Sequence, residues 1–236
     1  MKQLIEALDD LNIAYHEDML LQFQRYMELI LEWNDKVNLT SITEPQEFIK
    51  KHYVDSVAIC SFPQMNEANS IIDVGTGAGF PGIPLAILYP EKKFLLMDSL
   101  NKRVKIIEEI SHEIGLQNVT FRHGRAEELA QNKNYREQFD LCVSRAVANL
   151  AVLSEYCLPF VKVNGWFAAY KTVAAEDELK ESLRAIEILG GRLEENKKLD
   201  IKGYDLDHRI VLIKKDKKTL SKYPRKAGTP AKEPLK

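Results

Sequence analysis

A ten-residue glycine-rich segment constrains the fold of this chain more than any other feature. Residues 73–82 read Asp-Val-Gly-Thr-Gly-Ala-Gly-Phe-Pro-Gly and directly follow the apolar pair Ile71 and Ile72. Glycine permits a tight turn and the close approach of a ligand to the backbone, both of which a Cβ atom would obstruct. Pro81 and Pro84 suit the first turn of a helix that follows the loop. The pattern predicts a strand, a glycine loop and a helix, which is the layout of a nucleotide-binding cradle.

The residue that separates the possible ligands of this loop is Asp73. Gly77, Gly79 and Gly82 fit the spacing G-x-G-x-x-G of dinucleotide sites, which alone is weak evidence. A carboxylate beside a pyrophosphate would oppose binding, whereas S-adenosylmethionine carries an ammonium and a sulfonium that an acidic group can offset. With Gly75, the loop resembles the first motif of class I methyltransferases, acidic-x-Gly-x-Gly-x-Gly. S-adenosylmethionine is therefore the expected cofactor, with a dinucleotide site and a purely structural turn as alternatives.

Length and composition favour one α/β domain with an addition. The chain has 236 residues, of which 45% are apolar, enough for a full doubly wound sheet. No run of 18 apolar residues occurs, and residues 1–14 mix charged with apolar side chains, so neither a membrane span nor a signal peptide is expected. These features predict a cytoplasmic protein. No exposed apolar stretch stands out from the core pattern, and we expect a monomer.

The cysteines argue against two kinds of site. Cys60, Cys142 and Cys157 form neither a C-x-x-C pair nor a metal-ligand spacing. Their odd number also disfavours a disulfide framework. We expect reduced structural thiols and no bound metal.

Charge is distributed unevenly along the chain. Residues 214–236 contain nine Lys or Arg and two acidic residues, a net charge of +7, whereas the remainder contains 24 basic and 33 acidic residues, a net charge of −9. Contacts of Lys and Arg with phosphates give affinity for a polyanion that does not depend on sequence. The basic tail therefore predicts nucleic-acid binding, with a merely solubilising tail as the alternative. Its prolines predict a flexible segment that is not helical.

Apolar residues at helical intervals predict a helical beginning of the chain. One amphipathic segment is expected to end between Asn34 and Asn38, and a second helix to run from Glu44 or Pro45 through Cys60 with Thr43 as its N-cap. We divide the chain into an N-terminal helical subdomain (1–66), a Rossmann-like domain (67–213) and the basic tail (214–236).

The middle of the chain alternates strand and helix patterns, which predicts a mostly parallel seven-stranded sheet flanked by helices. The predicted strands are Ser70 to Val74, Lys93 to Asp98, Asn118 to Arg122, Phe139 to Ser144, Gly165 to Lys171, and an antiparallel hairpin from about Lys198 to Lys202 and Arg209 to Lys214. The predicted helices between them are Pro84 to Leu88, Lys102 to Ile114, Ala126 to Gln131 and Val147 to Leu158. The carboxyl ends of parallel strands lie on one edge of a sheet, and ligands bind there.

Polar residues at this edge suit an adenosine-containing cofactor. Asp98 ends the second strand about 20 residues after the glycine loop, where an acid can accept hydrogen bonds from both ribose hydroxyls. Glu127 follows the third strand, where a carboxylate can meet the amino group of adenine. An ordinary acid at a helix start is an equally good reading of Glu127.

The end of the fourth strand, Ser144-Arg145-Ala146, narrows the methyl acceptor. Enzymes that methylate exocyclic amines of adenine usually present Asn or Asp-Pro-Pro-aromatic at this point, and cytosine-C5 enzymes need a cysteine nucleophile in a Pro-Cys pair. This chain has neither. Arginine does not accept a proton at neutral pH, so a target that needs a general base is disfavoured. Guanine N7 needs none, and Arg145 can donate to guanine O6 or to the cofactor carboxylate while Lys171 holds a phosphate or the base edge.

Several motifs together resemble the RsmG (GidB) methyltransferases over about residues 20–214. They are Trp33-Asn34, Asn38-Leu39-Thr40, His52-Tyr53-Val54-Asp55-Ser56, the loop 73–82, Asp98-Ser99-Leu100-Asn101-Lys102-Arg103, Ser144-Arg145-Ala146 and Lys171. The resemblance implies methyl transfer from S-adenosylmethionine to N7 of a guanine in the 530 loop of bacterial 16S rRNA, by direct in-line attack. It also implies 16S rRNA, or a small-subunit ribosomal particle, as the partner.

The resemblance extends to individual residues. It implies cofactor contacts at Gly75, Phe80, Ala126, Glu127 and Arg145, and it places Asn38, His52, Arg145 and Lys171 near the target base. The matching motifs add Ser99 and Leu100 to the expected cofactor contacts of Asp73, Gly77, Gly79 and Asp98. Lys102 and Arg103, together with Lys222, Arg225 and Lys226 of the tail, are expected to contact RNA.

Two other classes of protein stay open at this point. A dinucleotide-dependent oxidoreductase would bind NADH, although no acid/base pair of a substrate domain is recognisable. A non-catalytic RNA-binding module would bind RNA without methyl transfer. A tritiated-methyl assay on small subunits that lack the modification separates these alternatives.

Overall fold

Seven strands form one sheet in the part of the chain that this computed structural model describes, residues 1–172, 176–199, 201–204 and 208–236. The strands are β1 (Ser70–Val74), β2 (Lys93–Asp98), β3 (Val119–His123), β4 (Phe139–Arg145), β5 (Val161–Thr172), β6 (Gly191–Lys198) and β7 (His208–Lys215). Their order is β3-β2-β1-β4-β5-β7-β6, and β7 is antiparallel to both of its neighbours. The order reverses between β1 and β4, where a crevice opens at the carboxyl ends.

Helices flank this sheet. In the described residues they are α1 (Lys2–Asp10), α2 (Glu17–Asn34), α3 (Pro45–Phe48), α4 (Asp55–Val57), α5 (Pro63–Glu67), α6 (Gly82–Leu88), α7 (Asn101–Glu113), α8 (Ala126–Leu129), α9 (Leu150–Cys157), α10 (Glu176–Ile188) and α11 (Thr229–Lys232). A π-helical turn spans Ile49–Val54, and 3₁₀ turns span Ala58–Ser61 and Leu158–Phe160.

Two apolar clusters lie on opposite faces of the sheet, because successive side chains of a strand point to opposite sides. Ile71 of β1 belongs to the cluster that includes Phe23 of α2 and other residues of the N-terminal helices. Ile72, the next residue, belongs to the cluster that includes Leu150 and Leu153 of α9. The N-terminal helices are thus part of the core that covers one face of the sheet.

The observed strands follow the predicted ones closely, except at one edge of the sheet. β1 and β2 have the predicted bounds. The first strand of the hairpin, expected near residues 198–202, is β6 and ends at Lys198. It carries charged side chains on much of its length, as edge strands often do, so its apolar pattern is weak. Helix α10, which the sequence pattern did not predict, directly precedes β6.

The helical segment after residue 44 differs in detail from the prediction. Thr43 is not its N-cap, because the carboxylate of Glu44 accepts the N–H of Glu47 at 2.8 Å and caps the helix instead. The segment then continues through the π-helical turn Ile49–Val54 before α4. A π-turn adds one residue to a helical turn, and such turns are frequent at functional sites.

The C-terminal residues pack against the domain, in contrast to the flexible tail that their composition predicts. Arg136 donates to the carbonyls of Thr219, Leu220 and Tyr223 at 2.7–3.2 Å. Tyr223 is buried, and α11 forms one helical turn. Side chains far away in sequence thus satisfy the polar groups of this segment, and composition does not reveal such pairs.

Two sequence expectations concern absences. Within the described residues, no helix is both long and apolar enough to cross a membrane. The same residues contain no group of His, Cys, Asp and Glu side chains arranged to hold a metal ion.

Lys215 at the end of β7 is fully buried and predicts a pH dependence of stability. Its Nζ donates to the carbonyl of Leu158 at 2.7 Å and to the hydroxyl of Thr219. Burial lowers the pKa of Lys215 to about 7, while the unfolded chain keeps the ordinary value. Between these values the unfolded state holds more protons, so the free energy of unfolding rises with pH. Compared with Lys215→Met, the native protein should gain up to about 1.4 kcal/mol per pH unit above pH 7.

Urea unfolding of both proteins, measured from about pH 7 to about pH 10, tests this expectation. The variant serves as the reference because it lacks the amine of Lys215 and keeps every other titratable side chain of the protein. If the difference between the two unfolding free energies did not change with pH, the conclusion that burial lowers the pKa of Lys215 would be wrong.

Candidate active site at the carboxyl edge of the sheet

The carboxylate of Asp73 accepts hydrogen bonds from both ends of the glycine loop. It is fully buried, and its Oδ2 accepts the hydroxyl of Thr76 at 2.7 Å and the N–H of Gly82 at 2.9 Å. Its other oxygen, Oδ1, is buried and has no hydrogen-bond partner within the described residues. Burial raises the pKa of Asp73 to about 7, although both hydrogen bonds oppose this rise. A buried acidic oxygen without a partner thus lies beside the loop, where its charge favours a nearby cationic group.

A cleft of about 250 Å³, here called the Asp98 cleft, opens beside this loop. It is lined by Val74, Gly75, Met97, Asp98, Ser99, Gly124, Arg125, Ala126, Glu127, Val147 and Tyr156. Asp98 accepts the N–H of Gly77 at 2.9 Å and that of Leu100 at 2.8 Å, one on each oxygen. The cleft thus joins the glycine loop to the ends of β2 and β3.

Gly75 shows why this loop needs glycine. Its φ is +74°, and a Cβ atom built there would lie 2.5 Å from Cγ2 of Val147. A larger residue would have to adopt a strained backbone and displace a side chain that lines the cleft. The glycine that the sequence motif predicts to be important at position 75 is thus also required by the geometry of the loop.

An aromatic cluster joins the N-terminal helices to the glycine loop. The hydroxyl of Tyr26 in α2 donates to the carbonyl of Ala78, inside the loop. Phe80 contacts Tyr26, Phe48 and Tyr53 with ring centroids 5.6–6.3 Å apart. The loop is therefore held from the side of the N-terminal helices as well as by Asp73.

His52, in the π-helical turn, stacks on the ring of Phe80. The two ring centroids are 4.3 Å apart and the planes differ by 6°. Nη2 of Arg145 lies 3.2 Å from Nδ1 of His52, and Oγ1 of Thr40 lies 2.8 Å from Nε2. Because arginine can only donate, Nδ1 accepts and the hydrogen resides on Nε2. Burial and the charge of Arg145 lower the pKa of His52 to about 3, so the ring is neutral at neutral pH and its lone pair is engaged.

Arg145, at the end of β4, is held by the fully buried Asp55. Its Nη1 donates to Oδ2 of Asp55 at 2.6 Å and to the carbonyl of Lys51 at 3.0 Å. The other oxygen of Asp55 lies 2.6 Å from Nδ1 of His208, the first residue of β7. Burial opposes ionisation of Asp55, but the hydrogen bond from His208 and the charge of Arg145 outweigh it, and the pKa of the carboxyl lies below its ordinary value. Asp55 thus fixes the guanidinium in one orientation.

A second cavity of about 520 Å³, here called the Arg145 cavity, lies beside this network. It is lined by Ile42, Lys50, Lys51, His52, Arg145, Ala146, Tyr170, Lys171, Thr172, Glu178 and His208. Nζ of Lys171 lies 2.6 Å from Oε1 of Glu178 and donates to the carbonyl of Ala148 at 3.0 Å. Several cationic side chains therefore line one cavity, and the carboxylate of Glu178 in this cavity is paired with Lys171.

The two cavities adjoin through the end of β4. Arg145 and Ala146 line the Arg145 cavity, and the next residue, Val147, lines the Asp98 cleft. Ala146 has a φ of +58°, which is unusual for a residue with a Cβ atom. Such strained residues concentrate at functional sites because the surrounding structure must hold them in place.

The structure places the residues expected from sequence in distinct positions. Gly75, Asp98, Ser99, Ala126 and Glu127 line the Asp98 cleft, whereas His52, Arg145 and Lys171 line the Arg145 cavity. Phe80 lies beneath His52, Gly79 lies against Tyr26, and the exposed Leu100 contributes its N–H to Asp98. Asn38 is exposed and lines neither cavity.

The residues expected to contact RNA divide into two groups. Lys102, Lys222 and Lys226 are exposed, and Arg103 is half-buried at the start of α7. Arg225 instead forms a bidentate ion pair with the fully buried Glu155. Its guanidinium is thus engaged within the protein.

Other site residues were missed from sequence. Asp55 and Thr40 lie in motifs that were recognised, but nothing in the pattern shows that one holds Arg145 and the other His52. His208 carries no sequence signal, because its partner Asp55 lies 153 residues away. Glu178, the partner of Lys171, was missed because it lies in α10, the helix that the sequence pattern did not predict. All three cysteines of the chain are buried.

Comparisons with known proteins agree with this architecture. The family described as "GidB: rRNA small subunit methyltransferase G" matches residues 19–206. A protein of Clostridium novyi named ribosomal RNA small subunit methyltransferase G is 51% identical, covering 97% of this chain and 94% of its own, and one of Clostridium tetani with the same name is 50% identical, covering 99% and 98%.

Solved structures with low sequence identity share the fold. A putative O-methyltransferase from Klebsiella pneumoniae aligns with a TM-score of 0.53 at 17% identity, covering 81% of this chain and 90% of its own. A SAM-dependent O-methyltransferase from Thermotoga maritima aligns with a TM-score of 0.52 at 18% identity, covering 81% and 72%. The predicted class I methyltransferase fold and its cofactor, S-adenosylmethionine, are confirmed. The sheet, the glycine loop and these matches over nearly the whole chain agree: the protein belongs to the rRNA small subunit methyltransferase G family, as its motifs predicted.

Proposed function

We propose that this protein transfers a methyl group from S-adenosylmethionine to N7 of a guanine in the 530 loop of 16S rRNA. This proposal depends on the pairing of His52 with Arg145. His52 is a candidate general base of the Arg145 cavity, and this pairing prevents its ring from accepting a proton. Guanine N7 has a lone pair and carries no proton, so its methylation requires no base. The names of the two Clostridium relatives support rRNA of the small subunit as the substrate class.

The Asp98 cleft and the glycine loop fit the cofactor. The unpartnered Oδ1 of Asp73 suits its cationic groups, and Asp98 retains lone pairs for the ribose hydroxyls beside the two N–H groups that it accepts. Gly75, Gly77, Ser99, Ala126 and Glu127 complete the cradle, with Gly79, Phe80 and Leu100 shaping it. When bound, S-adenosylmethionine supplies a methyl group on a cationic sulfur, which a lone pair can accept by in-line displacement.

The Arg145 cavity fits the target nucleotide. Within the described residues, the guanidinium of Arg145 has two N–H groups that remain unused, on Nε and on Nη2. We assign these donors to guanine O6, because a cation that contacted N7 would compete for the reacting lone pair. Lys171 is assigned to a phosphate or the base edge. His52 contributes its flat, neutral ring, and Asn38 lies on the loop that Thr40 ties to His52.

This arrangement relies on positioning and electrostatics. The fixed guanidinium of Arg145 orients the acceptor without a covalent step, and correct alignment of two reactants can supply on the order of 7 kcal/mol of the barrier. No buried thiol is needed as a nucleophile. Exposed Lys102, Lys222 and Lys226, with Arg103, are assigned to the RNA backbone, where each contact adds affinity that depends on salt.

The position of the methyl group is the direct test of the proposed function. Small subunits that lack the modification are incubated with tritiated S-adenosylmethionine and the protein, and the labelled rRNA is mapped by primer extension after cleavage at 7-methylguanosine. We expect one cleavage site, in the 530 loop. Label at an exocyclic amine, or at another nucleotide, would contradict the assignment.

Asp73 generates a prediction about cofactor affinity. Because the pKa of Asp73 is about 7 in the free protein, its carboxyl ionises in the range where affinity is measured easily. A cationic ligand binds the ionised form better, so affinity should rise between about pH 6 and pH 7.5, by less than about tenfold per pH unit. Asp73→Asn should bind S-adenosylmethionine about tenfold more weakly at pH 7.5 and show little of this pH dependence.

Titration calorimetry at several pH values measures both effects. The matched control is Asp177→Asn, which removes an exposed carboxylate on α10. If Asp73→Asn kept the affinity and the pH dependence of the native protein, Asp73 would only brace the loop.

Arg145 generates a prediction about turnover. Arg145→Lys keeps a positive charge near the buried Asp55 but loses the fork that spans Asp55, His52 and the cavity. We expect kcat to fall about 100-fold with little change in the affinity for S-adenosylmethionine. Arg184→Ala, which removes an exposed arginine of α10, is the control.

Steady-state methylation of small subunits gives kcat, and urea unfolding shows whether the variant is folded. The unfolding measurement is needed because an unpaired buried carboxylate is strongly destabilising. A kcat within about twofold of the native value in a folded Arg145→Lys protein would remove Arg145 from the reaction.

A further inference from the structure

The last residues of the chain contact Glu127, which lines the Asp98 cleft, and we call residues 219–233 the C-terminal brace. Its central contact is the pair formed by Arg225 and Glu155. Glu155 lies on α9 and is fully buried, and Arg225 supplies it with three side-chain hydrogen bonds, from Nε to Oε1 at 2.9 Å and to Oε2 at 3.2 Å, and from Nη2 to Oε2 at 2.7 Å. The backbone N–H of Arg225 also donates to Oε1, at 2.8 Å.

A second contact joins the brace to the wall of the cleft. The N–H of Gly228 donates to Oε1 of Glu127 at 2.9 Å. Glu127 lines the Asp98 cleft together with Tyr156, which directly follows Glu155 in α9. Within the described residues, Oε2 of Glu127 accepts no hydrogen bond and remains for a donor in the cleft. The brace thus donates a hydrogen bond to one oxygen of Glu127, and the other oxygen can accept one from a ligand in the cleft.

The remaining contacts anchor both ends of the brace. Arg136 donates to carbonyls of Thr219, Leu220 and Tyr223 at one end. At the other end, Nη2 of Arg225 donates to the carbonyl of Glu233 at 2.8 Å. The segment is therefore fixed on both sides of Gly228.

The positive charge of Arg225 is paired with the carboxylate of Glu155 inside the protein. A buried carboxylate requires a partner, and within the described residues Arg225 supplies all four hydrogen bonds that the carboxylate of Glu155 accepts. The exposed side chains of Lys222 and Lys226 stay in the solvent and can reach a phosphate. The basic residues of the tail therefore have two different roles. Arg225 forms an internal ion pair, whereas Lys222 and Lys226 are exposed to solvent.

We propose that the C-terminal brace supports the wall of the cofactor site that Glu127 and Tyr156 form, and that Arg225 is a positioning residue that acts through Glu155 and Glu127 on the adenine end of S-adenosylmethionine. This inference rests on the proposed assignment of the Asp98 cleft to adenosine. Arg225 is then no RNA contact, and the brace contributes to cofactor affinity before any RNA binds. The exposed amino group of adenine is the donor that Oε2 of Glu127 suits.

The test uses the full chain with the pair replaced as a unit. Arg225→Met combined with Glu155→Gln removes both charges and keeps similar volumes, so that no buried charge is left unpaired. We expect the double variant to bind S-adenosylmethionine about tenfold more weakly in calorimetry, while its affinity for a 16S rRNA fragment and the salt dependence of that affinity stay within about twofold of native. Hydrogen exchange at the amide of Gly228 should be faster in the variant.

Two controls make the outcomes distinct. Lys232→Ala, in α11 of the same brace, removes an exposed lysine and should leave cofactor affinity unchanged. Asp98→Ala tests the cleft itself: native cofactor affinity in that variant would overturn the assignment of the cleft, whatever the brace does. Native cofactor affinity in the Arg225 and Glu155 double variant would overturn the role of the brace, and a loss of RNA affinity with a smaller salt dependence would make Arg225 an RNA contact instead.

Discussion

The buried carboxylate of Asp55 is the interaction on which the geometry of the site depends. It joins three parts of the chain that are far apart in sequence: the helical segment in which it lies, the end of β4 through Arg145, and the start of β7 through His208. A charge removed from water must be paired and hydrogen-bonded, so this carboxylate tolerates few arrangements of its neighbours. The orientation of Arg145 follows from this requirement, and burial together with the charge of Arg145 lowers the pKa of His52 and keeps its ring neutral.

The N-terminal helical segment thereby becomes part of the candidate site, although it stands outside the sheet. Phe80 of the glycine loop contacts both Tyr26 of the aromatic cluster and the ring of His52. The glycine loop and a side chain that lines the Arg145 cavity are thus joined by aromatic packing. Movement of either would therefore disturb the other.

Sequence reasoning succeeded where the determining forces are local. β1 and β2 are apolar runs that a glycine or an acidic residue ends, and the strained loop between β1 and α6 demands glycine at Gly75 whatever surrounds it. It failed where partners come from distant parts of the chain. The basic tail has the composition of a flexible segment, yet Glu155 and Arg136 give it internal partners about 70 and 85 residues away. Likewise, the recognised motif around His52 contains Asp55 but not the arginine and histidine that define its role.

The π-helical turn Ile49–Val54 has a consequence for how this site tolerates change. In an α-helix each residue advances the direction of the side chain by about 100°. A π-turn takes one residue more into a single turn, so the extra residue is absorbed locally. Here Tyr53 stays in the core, His52 lines the Arg145 cavity and Asp55 contacts Arg145. Loss of one residue from this turn would restore α-helical spacing and change the relative directions of these three side chains together, whereas a substitution affects one of them at a time.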